Sequence, residues 1–132
     1  MKIKKVIIHE DDLEWISRDV YRETPLGKVR WKTLLSADQT PTAEITMGVA
    51  EIPPGEQLSL HSHPQAETYY ILDGNGFVLL DGERQLVKAG TVVFIPGDVV
   101  HTIGATGEKL LRMVYSFPVD SFQQVQYQYR SD

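Results

Sequence analysis

Three histidines and one carboxylate have the types and spacing of a metal site. His61, His63 and Glu67 lie in GEQLSLHSHPQAETYYILDG, residues 55–74. Side chains two residues apart on a β-strand leave the same face, so an extended backbone here makes His61 and His63 converge. Glu67 keeps that parity, but Pro64 offers no backbone donor and breaks the pairing, so Glu67 is expected to open the next strand. Downstream, GTVVFIPGDVVHTIGA, residues 90–105, runs through β-branched residues to Pro96 and Gly97, turns, and presents His101 as a fourth ligand. Of the four histidines only His9 falls outside these two stretches. A lone histidine is more often a surface or hydrogen-bonded core residue. Two stretches agreeing in context reverse that preference in favour of a metal.

Three His and one Glu leave two adjacent positions open on a six-coordinate ion. One divalent transition metal per chain is expected, from Fe, Mn, Ni, Co or Zn, and the open positions suit the first four better than a closed structural zinc site. Such a centre either polarises a carboxylate or carbonyl, acidifying the neighbouring C–H, or binds dioxygen. Tyr69 lies two residues past Glu67 and shares its face. A nearby cation favours the phenolate, which makes Tyr69 a candidate general base; the competing role is a core tyrosine with a satisfied hydroxyl. Tyr70, of opposite parity, is the internal control.

The elements that must position these groups read as strands. Val29 to Leu35 and Ala43 to Ile52 show a two-residue period, the second with Ala43, Ile45, Met47 and Val49 on one face and Glu44 and Thr46 on the other, and Asp38 to Thr42 as the turn between them. Thr68 to Asp73 is rich in β-formers, and Gly74, Asn75 and Gly76 make a sharp turn. Phe77 to Leu80, Asp81-Gly82 and Arg84 to Val87 form the clearest hairpin, because Asp-Gly accepts the positive φ values of a two-residue turn. Lys109 to Phe117 alternates, with Leu111, Met113, Tyr115 and Phe117 facing the core. About nine short strands and no convincing long helix favour an all-β sandwich or closed jelly roll. Residues 1–25 read as an N-terminal arm, with a strand from Val6 to Ile8 and a partly helical acidic stretch from Asp11 to Tyr21. Residues 26–118 form the barrel, and the tail 119–132, with Phe122, Tyr127 and Tyr129, packs against it.

The 132 residues, with 13 basic and 18 acidic side chains and a net charge of −5, suit one domain and argue against nucleic acid or an anionic membrane as partner. Acidic residues follow the start too soon for a secretory signal, so a cytoplasmic protein is expected. The absence of cysteine removes disulfides and thiolate ligands, leaving N and O donors for any metal.

The sequence resembles the cupin superfamily. Gly55, His61, His63, Glu67 and Gly74 fit the first cupin motif without a gap, and Gly90, Pro96 and His101 fit the second. Asp98 stands where the second motif has a glycine, Gly97 falling one place early, and Ala105 stands where it has Asn. The fold that the resemblance implies is a single-domain jelly-roll β-barrel. The segments VRWKTLLSAD, VAEIPPG, HSHPQAETYY and FPVDSFQQVQY are similar to the small cupin dimethylsulfoniopropionate lyases, which release dimethyl sulfide and acrylate. That resemblance implies His61, His63, Glu67 and His101 as metal ligands, Tyr69 as the base that takes the α-proton, and Tyr127 as an assisting tyrosine. It also implies a small-molecule substrate, a carboxylate, and a homodimer. A dioxygenase on the same four ligands and a non-catalytic small-molecule-binding cupin are the alternatives.

Overall fold

The computed structural model describes residues 2–16 and 23–130. Its strands are β1 (Glu23–Thr24), β2 (Gly27–Lys28), β3 (Arg30–Leu35), β4 (Thr46–Ile52), β5 (His61–Ser62), β6 (Glu67–Asp73), β7 (Asn75–Leu80), β8 (Glu83–Lys88), β9 (Val92–Ile95), β10 (His101–Ala105), β11 (Leu111–Phe117) and β12 (Gln128–Tyr129). β1 and β2 form a small hairpin, and the rest make two five-stranded sheets, β12-β5-β10-β7-β8 and β3-β4-β11-β6-β9, with antiparallel pairing throughout. This is the all-β barrel expected from the alternation and the turn chemistry.

The inner faces of the sheets build the core by strict alternation. On β11, Leu111, Met113, Tyr115 and Phe117 are buried, as their spacing requires. β6 lies beside it with Tyr69 opposite Tyr115 and Ile71 opposite Met113. Gly48 on β4 explains itself sterically, since a Cβ there would fall 2.2 Å from the Tyr115 hydroxyl. The Asp81-Gly82 turn joins β7 to β8 with φ of 47° and 82°, as the hairpin reading anticipated. Gly74 carries the chain from one sheet to the other at φ 91°, and a Cβ would meet the Leu110 carbonyl at 2.4 Å.

Three expectations are corrected. The apolar parity of residues 43–49 turns away from the core: the strand starts at Thr46, and Ala50 and Ile52, not Met47 and Val49, join the central cluster. The reason lies outside the sheet, where Val6, Ile8 and Glu10 of the N-terminal arm line a groove with Met47 and Val49, and Val49 is buried on that outer face. Val6 to Ile8 is not a strand, because that segment joins neither sheet; nearby, the Lys4 amide reaches the Pro41 carbonyl. The acidic stretch forms one 3₁₀ turn, Glu10–Asp12, and the remainder of the helical expectation falls largely on residues 17–22, outside the described residues. That turn is tied down electrostatically. Arg112 bridges Glu10 and the buried Glu51, Arg30 also binds Glu51 at 2.6 Å, and the Arg30 guanidinium lies 3.9 Å from the centre of the Trp15 ring.

The tail returns across the barrel mouth. Phe122 and Tyr127 pack against the core cluster, and β12 adds to the edge of β5 with Tyr129 opposite His61.

Candidate metal centre

The four sequence-predicted ligands come from three strands and the turn between two of them. His61 opens β5, His63 follows it, Glu67 opens β6 and His101 opens β10, where it pairs directly with His61. Pro64 ends the β5 ladder as its missing donor dictates, so Glu67 reaches the cluster from the opposite sheet. All four are buried, and one ligating atom from each lies within 4.8 Å of the others.

The turn before His101 explains the departures from the motif. Asp98 itself takes the left-handed conformation at φ 68°, a role aspartate fills at modest cost, so a positive φ persists where the motif has glycine. Gly97 serves a different need: a Cβ there would stand 2.2 Å from the Pro64 carbonyl. The Asp98 amide donates to the His63 carbonyl at 2.8 Å, tying the two ligand-bearing turns together. Ala105 is buried, and its carbonyl accepts the Gly55 amide at 3.0 Å.

Each imidazole is oriented by its own backbone. The Nδ1 atoms of His61, His63 and His101 meet the carbonyls of Ser59, Gln65 and Val99 at 2.6, 2.8 and 2.8 Å. A carbonyl only accepts, so each Nδ1 carries the proton and each Nε2 lone pair is left for a ligand, the usual arrangement behind metal-bound histidine. His63 Nε2 lies 3.1 Å and His101 Nε2 3.4 Å from Glu67 Oε1. His101 Nε2 is buried without a hydrogen-bond partner. An unpaired buried polar atom costs about 1–3 kcal/mol, so a site that carries one fits an ion that would take up the lone pair. The residues present therefore fit a divalent metal with N and O donors.

Electrostatics at His61 and Glu67 supports that fit. Burial, followed by the neighbouring His101, lowers the pKa of His61 from 6.5 to about 4, which keeps it neutral and able to ligate. Burial also pulls His63 down, but the Glu67 carboxylate outweighs it and the net shift is upward. At Glu67 burial opposes ionisation, yet the neighbouring His101 and His63 imidazoles prevail and hold its pKa below the usual value.

Tyr69 is 1% exposed, lines the cavity with His61 and Glu67, and its hydroxyl is buried with no hydrogen-bond partner. Burial first, then the negative charge of Glu67, pushes its pKa well above 10. Tyr70 faces outward and is 46% exposed. Tyr127 closes the cavity from the tail, with its ring centre 5.3 Å from that of His61 and 5.4 Å from that of His63. Trp31, Tyr115 and Phe122 complete the aromatic wall. Tyr115 and Phe122 are site residues that the sequence does not mark, because alternation gives Tyr115 only as core and Phe122 reads only as part of a packing tail.

Residues 48–117 match the family model of the cupin domain, Cupin_2. The chain is similar to dimethylsulfoniopropionate lyase DddW of Ruegeria pomeroyi, with 35% identity over 121 residues, 92% of this chain and 79% of the relative. It is 34% identical over 82 residues to an oxalate-binding protein of Thermotoga maritima, covering 61% of this chain and 68% of that one. Among solved structures, the polyketide cyclase RemF of Streptomyces resistomycificus superposes with a TM-score of 0.76 at 18% identity, covering 98% of this chain and 89% of that one, a likeness of fold.

Proposed function

Because the chain belongs to the cupin domain family and sets a buried, unpartnered tyrosine hydroxyl beside four convergent ligands, we propose that it is a metal-dependent lyase of the dimethylsulfoniopropionate type. In this reading it removes an α-proton from a small carboxylate and expels a β-sulfonium. His61, His63, Glu67 and His101 hold one divalent transition metal. When bound, that ion supplies Lewis-acid polarisation of the substrate carboxylate and a positive charge that favours the phenolate form of Tyr69.

The chain's own residues do the rest. Tyr69 Oη takes the α-proton, the C–H electron pair becomes the new C=C bond, and the C–S bond breaks with its pair on sulfur. The leaving sulfide is neutral, so no general acid is needed. Tyr127 assists from the opposite wall, and the faces of Trp31, Tyr115 and Tyr127 suit a sulfonium through cation–π attraction. Apolar walls exclude water and strengthen these electrostatic terms.

The single observation that carries the proposal is the Tyr69 hydroxyl. A buried tyrosine kept for packing usually satisfies its hydroxyl, and this one makes no hydrogen bond of good geometry while facing the Glu67 carboxylate. The similarity to DddW over most of both chains agrees with the substrate class. The test is elemental analysis followed by a headspace assay for dimethyl sulfide with dimethylsulfoniopropionate, beside a His63→Ala control. Metal near one per chain with metal-dependent release is expected. Bound metal without release rejects the lyase and favours a binding protein, the reading to which the oxalate-binding relative points.

In the same reading the protein acts in the cytoplasm as a homodimer, since Ile7 on the arm and Val92 and Phe94 on the edge strand β9 leave apolar side chains exposed. Among the described residues no helix is long and apolar enough to cross a membrane. Light scattering that returns the monomer mass overturns the dimer.

A further inference from the structure

Gln65 sits in the turn between His63 and Glu67, and its backbone and side chain serve two different partners. Its carbonyl accepts the Nδ1 proton of His63 at 2.8 Å. Its carboxamide reaches the tail: Nε2 donates to the Gln124 carbonyl at 3.1 Å, and Oε1 accepts the Gln126 amide at 3.4 Å. The two tail groups flank Val125 and stand next to Tyr127, so the side chain mimics one peptide unit of a neighbouring strand. Beyond Tyr127 the tail is held by β12, two residues on the edge of β5, and by the Arg130 amide on the Leu60 carbonyl at 2.8 Å. Before it, the tail is fixed by Ser36, whose hydroxyl accepts the Phe122 amide at 3.0 Å.

We propose that Gln65 is the positioning residue for Tyr127, a clip that holds the tail tyrosine over the metal centre and must release for a ligand to enter. The space inside supports the second half. The cavity bounded by His61, Glu67, Tyr69 and Tyr127 offers about 30 Å³ to water centres, room for about two waters by that measure. A small carboxylate with a leaving group needs more, and the tail is a wall attached through the two-residue edge strand β12 and side-chain bonds, whereas β6 and β11 behind Tyr69 and Tyr115 lie inside their sheet. Because the Gln65 backbone also orients His63, ligand geometry and tail placement meet in one residue. The catalytic half of this inference rests on the lyase reading; the structural half does not.

The test uses the full chain with 3-fluorotyrosine at all six tyrosines, the Tyr127 fluorine resonance being assigned by its loss in Tyr127→Phe. Gln65→Leu keeps the bulk and removes both hydrogen bonds. It is expected to retain metal near one per chain, to speed exchange of the Gln126 amide at least tenfold, and to shift or broaden the Tyr127 resonance. Gln65→Glu, which keeps the acceptor for Gln126, is expected to fall between it and the parent. If the parent releases dimethyl sulfide, Gln65→Leu lowers kcat about tenfold with KM within twofold. An unchanged Tyr127 resonance or Gln126 exchange rate in Gln65→Leu overturns the proposal, as does unchanged kcat in an active protein. A parent without lyase activity rejects only the lyase reading, and the fluorine and exchange measurements then decide the role of Gln65 alone.

Discussion

The two ends of the barrel interior are built by the same strands and could hardly differ more. Read inward along β6, the side chains run Glu67, Tyr69, Ile71; along β10 they run His101, Ile103, Ala105; along β11, in the opposite sense, they run Phe117, Tyr115, Met113, Leu111. At the far end Ile52, Ile71, Ile103 and Leu111 are fully buried and fill the space with aliphatic carbon. At the near end the same burial is spent on ionisable groups, and His101 Nε2 and the Tyr69 hydroxyl are left without partners. One end secures register and stability, so that the other end can hold polar groups in an arrangement that is costly without a ligand.

That contrast is sharpened first at the ligands. His63→Ala is expected to weaken metal binding by more than about 100-fold, since outer partners of such ligands alone are worth 10–100-fold, while the metal-free protein stays folded; equilibrium dialysis with the metal measures it. Leu111→Ala should do the reverse, lowering unfolding stability by about 2–5 kcal/mol in a denaturant titration and leaving metal stoichiometry at one per chain.

pH should separate the ends as well. Between pH about 4 and 6.5 the unfolded chain binds a proton at His61 that the folded chain refuses, so this residue makes metal-free stability rise with pH in that window. His61→Gln is expected to flatten the slope. Glu67 acts in the same direction at lower pH, its lowered pKa giving stability that is lost as pH falls through it, whereas the raised His63 gives stability that is lost as pH rises through its own. The smallest effect expected is a gain: Tyr69→Phe removes an unpartnered buried hydroxyl and should leave metal-free stability unchanged or raise it by about 1 kcal/mol, measured by thermal unfolding. A loss instead would mean that the hydroxyl has a structural partner and that the ends are less distinct than described.

The ligand cluster was legible because its spacing is local: parity places His61 with His63, and Pro64 explains why Glu67 arrives from another strand. The β7–β8 turn and the alternation of β11 were legible for the same reason. The orientation of β4 was not, because Met47 and Val49 are apolar for the sake of an arm some forty residues away in sequence, and no period within the strand reveals a second cover. The packing of the tail was anticipated from its aromatic residues, but its attachment through Gln65 was hidden, since the bonds to residues 124–126 join side-chain and backbone polar groups with no pattern of their own.

The central claim is tested most directly by comparing Tyr69→Phe with Tyr70→Phe, both loaded with metal, in the dimethyl sulfide headspace assay. Neighbours in sequence, they differ in facing the ligands or the solvent. Both variants are expected to keep one metal per chain, Tyr70→Phe to retain parental turnover, and Tyr69→Phe to lose about 10²–10⁴-fold, the usual worth of a positioned general base. Undiminished release by Tyr69→Phe would contradict the account.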